Sequence, residues 1–126
     1  MDLPTPTGRE LEILKVLWEQ GPLSVRGVHD HLHPADGEDL AYNTVQTLLR
    51  IMEAKKLVSH RVAGRTFIYT PLFSREESAS RYLDRVFDGA ASQLMLSLMR
   101  AERIPHDELE RMHSLIAQAR RKRTAH

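Results

Sequence analysis

Asn43, Gln46, Thr47 and Arg50 stand at i, i+3, i+4 and i+7, so a helix through them carries all four on one face. Short amides, hydroxyls and a guanidinium are the groups that pair with base edges. Asn and Gln suit adenine, Arg suits guanine, and Thr offers a hydroxyl and a methyl for thymine. Asn and Thr are indifferent helix formers, so helix stability does not account for a face built from them. Tyr42 and Thr44, near the start of the same stretch, can donate to phosphates, where exposed backbone N–H groups help. On the other side, Val45, Leu48, Leu49 and Met52 form an apolar stripe with helical spacing. The plain alternative is a polar face turned to water.

The charge distribution favours a polyanion. The net charge is only +1, but it is unevenly placed. Residues 1–41 hold three Arg or Lys against eight acids, a net of −5. Residues 42–73 hold five, Arg50, Lys55, Lys56, Arg61 and Arg65, against Glu53 alone, a net of +4. Residues 74–126 hold ten against eight, a net of +2. Positive charge is therefore concentrated around the polar helix, as in a nucleic-acid binder.

Other chemistry finds little support. His29 and His33 have i, i+4 spacing, with His31 between them, but no third ligand with a general-base Glu follows at helical spacing. They are expected to be surface histidines, and no metal or other cofactor is expected. The chain shows no glycine-rich phosphate loop, nucleophile elbow or convincing carboxylate pair, so it is not expected to be an enzyme. With no cysteine there is no disulfide framework, thiolate zinc site or cysteine nucleophile. No apolar run approaches the roughly 20 residues of a membrane span and no signal pattern opens the chain, so a cytoplasmic protein without membrane insertion is expected. At 41% hydrophobic and 28% charged residues, the composition is globular.

The elements that must position the polar face are legible from caps and periods. Thr7 and Glu10 have capping-box spacing ahead of a first helix. Its apolar side is Leu11, Leu14, Val16, Leu17 and Trp18, and Gly21-Pro22 ends it. Ser24 caps a short second helix with Val25, Val28 and Leu32 inside, and Pro34 stops it after His33. The polar helix is third and runs to about Lys55; Ala41 is a poor N-cap, and Asp39 is the alternative. The period then changes from 3.6 to 2. "LVSHRV" and "TFIYT" flank "AGR", predicting a β-hairpin with Gly64 at its turn, Arg65 at its tip and Pro71 at its end. His60 and Arg61 lie on its first strand as weaker candidates for contact with a polyanion.

Helix, helix, helix, hairpin is the order of a winged helix-turn-helix, in which the third helix enters the major groove and the hairpin lies on the backbone or minor groove. From Ser74 the chain is helical again, with breaks at Asp88-Gly89 and Ile104-Pro105. Its stripes include Tyr82, Val86 and Phe87; Leu94, Met95, Leu98 and Met99; and Leu109, Met112, Leu115 and Ile116. So short a helical region cannot bury these stripes within itself, and an identical copy is the simplest partner. The expected fold is mainly α with a small β-hairpin: a winged-helix DNA-binding domain over residues 1–73 and a helical dimerisation domain over 74–126. The basic "RRKR" at Arg120–Arg123 adds at most nonspecific attraction to DNA.

The motifs "ELEILKVLWEQGPLSVRGV", "NTVQTLLRIMEAKKLV", "GRTFIYTPL", "LDRVFDGA" and "LMLSLM...ELERMHSLI" resemble, in order and spacing, the penicillinase repressors of the BlaI/MecI type, with the copper-operon repressors as cousins. The resemblance implies a homodimeric repressor that binds inverted-repeat operators in double-stranded DNA. It also implies release through a membrane sensor with a metalloprotease domain, by cleavage in the dimerisation region. The family's recognition-helix threonines match Thr44 and Thr47, and its variable base-facing positions match Asn43, Gln46 and Arg50. The family's scissile Asn-Phe pair falls on Ser97-Leu98, a departure. A family glycine falls on Lys56, which must end the recognition helix in a conformation that suits glycine. Copper sensing through C-terminal cysteines is excluded. Two other classes remain: a winged-helix protein-interaction or architectural module, and a ligand-sensing regulator.

Overall fold

The computed structural model describes residues 5–124. Among them are helices α1 (Gly8–Gln20), α2 (Val25–His31) and α3 (Tyr42–Ala54), strands β1 (Val58–Ala63) and β2 (Thr66–Pro71), and helices α4 (Arg75–Phe87), α5 (Ala91–Arg100) and α6 (His106–Thr124). The chain divides into two compact units, with the division after Ala79, inside α4.

In the first unit the local signals act as their chemistry requires. The Thr7 hydroxyl accepts from the Glu10 N–H, and the Glu10 carboxylate accepts from the Thr7 N–H at 2.8 Å, a complete capping box. Ser24 caps α2 by accepting from the Gly27 N–H. The apolar faces of the three helices meet in one core: Ile13, Leu14 and Leu17 from α1, Val25 and Val28 from α2, and Val45, Leu49 and Met52 from α3. Leu57, Val58, Tyr69 and Phe73 close it from the hairpin and its flanks.

The hairpin is antiparallel, with Val58 opposite Pro71, His60 opposite Tyr69 and Val62 opposite Phe67. Gly64 turns it at φ 67°, a value at which a Cβ is strained. The hairpin is fastened at its base by a single bridge from the α1–α2 turn. The Tyr69 N–H donates to the Leu23 carbonyl at 2.8 Å, and the Leu23 N–H donates back at 3.2 Å. The base therefore enters the core while the tip projects away from it.

Three expectations are corrected. First, α2 ends at His31 with Leu32 as its cap, so His33 lies beyond the helix and does not share a turn with His29. Second, α3 begins after Ala41 with no side-chain cap, so Asp39 does not serve. Third, within α1 it is Ile13 that is fully buried, whereas Leu11 is exposed. Lys56 does adopt φ 64° immediately past α3, the left-handed conformation required there.

Glu10 also has a long-range role. It is the one buried charged residue among those described, and the Lys55 Nζ donates to its Oε1 at 2.6 Å, tying the start of α1 to the end of α3. Burial opposes ionisation of this carboxyl most strongly, but hydrogen bonds from Lys55 and from the Thr7 backbone together outweigh it and hold it below the ordinary carboxylate value. Stability from a lowered acid is present above the ordinary pKa of about 4.3 and is lost as pH falls through the folded-state value. Lys55→Met keeps the stem, removes the ammonium and leaves Glu10 one donor short. The variant should lose about 1–3 kcal/mol at pH 7, discounted because Lys55 is partly in water. The deficit should shrink below about pH 4, where the carboxyl is neutral. Urea unfolding of both proteins at the two pH values measures it.

Trp18, the only tryptophan in the chain, lies at the end of the first unit. Its Nε1–H donates to the Phe73 carbonyl at 2.9 Å, and the two rings meet edge to face at 6.1 Å. The Arg75 guanidinium lies 5.8 Å over the indole and reaches Glu19 at 3.5 Å. These contacts fix where α4 begins.

The second unit is built differently. None of α4, α5 or α6 contains a buried residue. Asp88 at φ 50° and Gly89 at φ 82° break the chain between α4 and α5, and Glu102 at φ 55° follows α5. Tyr82, Val86, Leu98, Met99, Leu115 and Ile116 are exposed, while Leu94, Met95, Leu109 and Met112 are only partly covered. The apolar stripes read from the sequence thus remain largely open to solvent in the single chain.

Candidate nucleic-acid interface

The buried stripe of α3, Val45, Leu49 and Met52, fixes the rotation of the helix. Asn43, Thr44, Thr47 and Arg50 are exposed as a result, with Gln46 partly covered at the shoulder. Since Ala41 supplies no capping side chain, the first-turn N–H groups of α3 are not occupied by one. Ile51 is also exposed, at 45%, so the outer face is not purely polar.

Tyr42 stands at the junction of α2 and α3. The Arg26 guanidinium of α2 lies 5.8 Å over its ring, and the His29 ring meets it at 6.1 Å. The His29 Nε2 is 2.9 Å from the Leu40 carbonyl, which only accepts, so this nitrogen carries the proton. By the same reasoning the His31 Nδ1–H donates to the Gly27 carbonyl at 2.9 Å. Two of the three histidines once considered for a metal are therefore engaged with backbone. Groups of three or more metal-ligating side chains are absent among the described residues.

Arg65 is exposed beside Gly64 at the tip of the hairpin, and Arg61 is exposed on β1. Arg50 connects the helix to the hairpin electrostatically. The Tyr69 hydroxyl is pushed up first by burial and then by the Glu53 carboxylate, and Arg50 partly offsets both. The predicted contact residues of α3 thus share one exposed face, and Arg65 belongs to the adjoining hairpin.

Arg26, Glu53 and His60 take part in this surface in ways the linear pattern does not reveal. Arg26 and Tyr42 meet only because α2 and α3 pack together. His60 is a candidate by position alone, and its bond to Glu53 depends on the return of the chain after α3. Among the described residues no helix is long and apolar enough to cross a membrane.

Comparison with known proteins gives concordant results. The penicillinase repressor of Bacillus licheniformis is 23% identical over 118 residues, covering 90% of this chain and 91% of that protein. The solution structure of Bacillus licheniformis BlaI, in its monomeric form with the blaP half-operator, matches with a TM-score of 0.50 and 28% identity. That match covers 60% of this chain and 90% of the other. The complex structure of hsRosR-S4 matches with a TM-score of 0.52 over 95% of this chain and 94% of the other; at 18% identity it shares the fold. The expected architecture, a winged helix-turn-helix followed by further helices, is therefore the observed one. The penicillinase repressor family model matches residues 6–118, nearly the whole of this sequence, and the chain belongs to that family.

Proposed function

We propose that the protein is a DNA-binding transcriptional repressor whose α3 reads operator bases in the major groove while the hairpin lies against the backbone or minor groove. The observation that carries this reading is the exposed face of α3, with Asn43, Thr47 and Arg50 together beside a hairpin bearing Arg61 and Arg65. The related BlaI structure, a monomer on a half-operator, supports placing one winged helix on each half-site. Tyr42 and Thr44 are assigned to phosphates, Asn43, Gln46, Thr47 and Arg50 to base edges, and Arg65 to the tip contact.

Residues 1–73 form the DNA-binding part of this proposal and residues 74–126 the homodimerisation part. The interface consists of Tyr82, Val86, Leu94, Met95, Leu98, Met99, Leu109, Met112 and Ile116. Their exposure or partial exposure in one chain supports that assignment, because a lone soluble chain gains nothing from so much uncovered apolar surface. Release by a membrane sensor-protease acts in the same region, with Ser97-Leu98 at the position of the scissile pair. Both residues are exposed, so a protease can reach them before dimerisation covers the stripe.

The test is a gel shift on the DNA upstream of the protein's own coding sequence, at several salt concentrations and with a scrambled competitor. The reading requires that affinity fall steeply with salt and that the scrambled DNA compete poorly. Equal competition by scrambled DNA would instead indicate a nonspecific architectural module.

A further inference from the structure

Glu53 is the single acid in residues 42–73, and it lies in the last turn of α3, one turn beyond Arg50. That placement is unfavourable on two counts. A carboxylate near a helix C-terminus opposes the macrodipole, and one bordering a DNA-binding face repels phosphates.

The hairpin supplies the compensation. The His60 Nδ1 on β1 is 2.7 Å from Glu53 Oε1 and 2.6 Å from Oε2. A carboxylate only accepts, so Nδ1–H donates to both oxygens. The same imidazole lies flat on the Phe67 ring, with centroids 4.1 Å apart and planes inclined by 12°, and it touches Tyr69 at 5.8 Å. Phe67 is paired across the hairpin with Val62, and both are largely exposed, so the core does not hold this outer half of the hairpin in place. The imidazole is held on one side by rings of β2 and on the other by the end of α3.

We propose that His60 is a positioning residue for DNA binding. Through Glu53 and Phe67 it fixes the outer half of the wing against the recognition helix, and so determines where Arg65 is presented to the DNA. It also keeps the Glu53 carboxylate away from the phosphates. The proposal rests on the DNA-binding reading above.

The test is a double-substitution cycle on the full-length protein, using its own upstream DNA and a salt titration. Arg65→Ala should lower the slope of log affinity against log salt by about one, the value for one lost phosphate contact. In a His60→Ala background, where the wing no longer presents Arg65, adding Arg65→Ala should change neither affinity nor slope. If the two losses multiply, His60 acts independently of Arg65 and the positioning role is overturned. If Arg65→Ala leaves the slope unchanged while the protein still binds, the role is overturned as well. A protein that shows no operator preference at all overturns the DNA-binding reading instead. Thermal unfolding checks each variant. Should His60→Ala unfold at the assay temperature, Glu53→Gln enters the same cycle: it keeps the side-chain shape, weakens the bond to His60, and must give the same non-additivity.

Discussion

A fragment ending at Ala79 is expected to remain folded and monomeric, to bind a single half-site, and to bind the full operator about 10²–10⁴-fold more weakly than the whole protein. The folding half of this expectation follows from the core, whose members all precede Ala79. The affinity half follows from the proposed dimer. One winged helix offers few base contacts, and tethering a second copy makes its binding intramolecular, at an effective concentration in the millimolar range. The stripes of α5 and α6 are the means of tethering. Leu98, Met99 and Ile116 are exposed in one chain and would be covered by another. Cutting a protease site inserted between Leu94 and Met99 should reproduce the loss, since it severs α5 (Ala91–Arg100) within that stripe. Light scattering and DNA titration on the fragment measure both halves. A dimeric fragment with undiminished operator affinity would place the interface in the N-terminal unit.

Arg50→Ala is expected to weaken operator binding by about 1–3 kcal/mol and to relax the preference at one base pair in each half-site. Arg50 shares the exposed side of α3 with Thr47 and Asn43, and its guanidinium can pair with a guanine edge through two parallel bonds. Its removal should leave the fold intact, because the side chain is exposed and the helix is held by Val45, Leu49 and Met52 on the opposite face. Arg65→Ala, by contrast, should weaken binding to all sequences alike, as loss of a phosphate contact does. Titration against a panel of operators carrying single base substitutions separates the two effects. An Arg50→Ala protein with unchanged affinity and unchanged base preference would show that α3 is not the reading element.

The parts of this molecule that were legible beforehand are those decided within a few residues. The Thr7–Glu10 box, the Ser24 cap, the Gly64 turn and the stripe through Val45, Leu49 and Met52 each follow from local spacing. The polar face of α3 was legible for the same reason: once the stripe is known, its opposite is known. What escaped is decided across the chain. Glu10 was read as a cap residue, but its pairing with Lys55, 45 positions away, depends on how α1 packs against α3. The choice of Ile13 over Leu11 for the core was likewise open, since a helix with a broad apolar side does not say which residue is central. The end of α2 before His33 reflects Leu32 turning into the core, with its backbone extended at ψ 120°. Lys56 shows the reverse case, an unfavourable residue at a position that the tertiary fold imposes.

The central claim is that two copies of this chain present two α3 helices to an inverted repeat, and hydroxyl-radical footprinting of the full-length protein on its own upstream DNA tests it most directly. The account predicts two protected patches related by a two-fold axis, with centres separated by a whole number of helical turns, about 10–10.5 base pairs each. They should overlie matching half-sites, and protection should extend to the phosphates flanking each patch, where the wings lie. A single asymmetric patch, or uniform protection that follows no repeat, would contradict it.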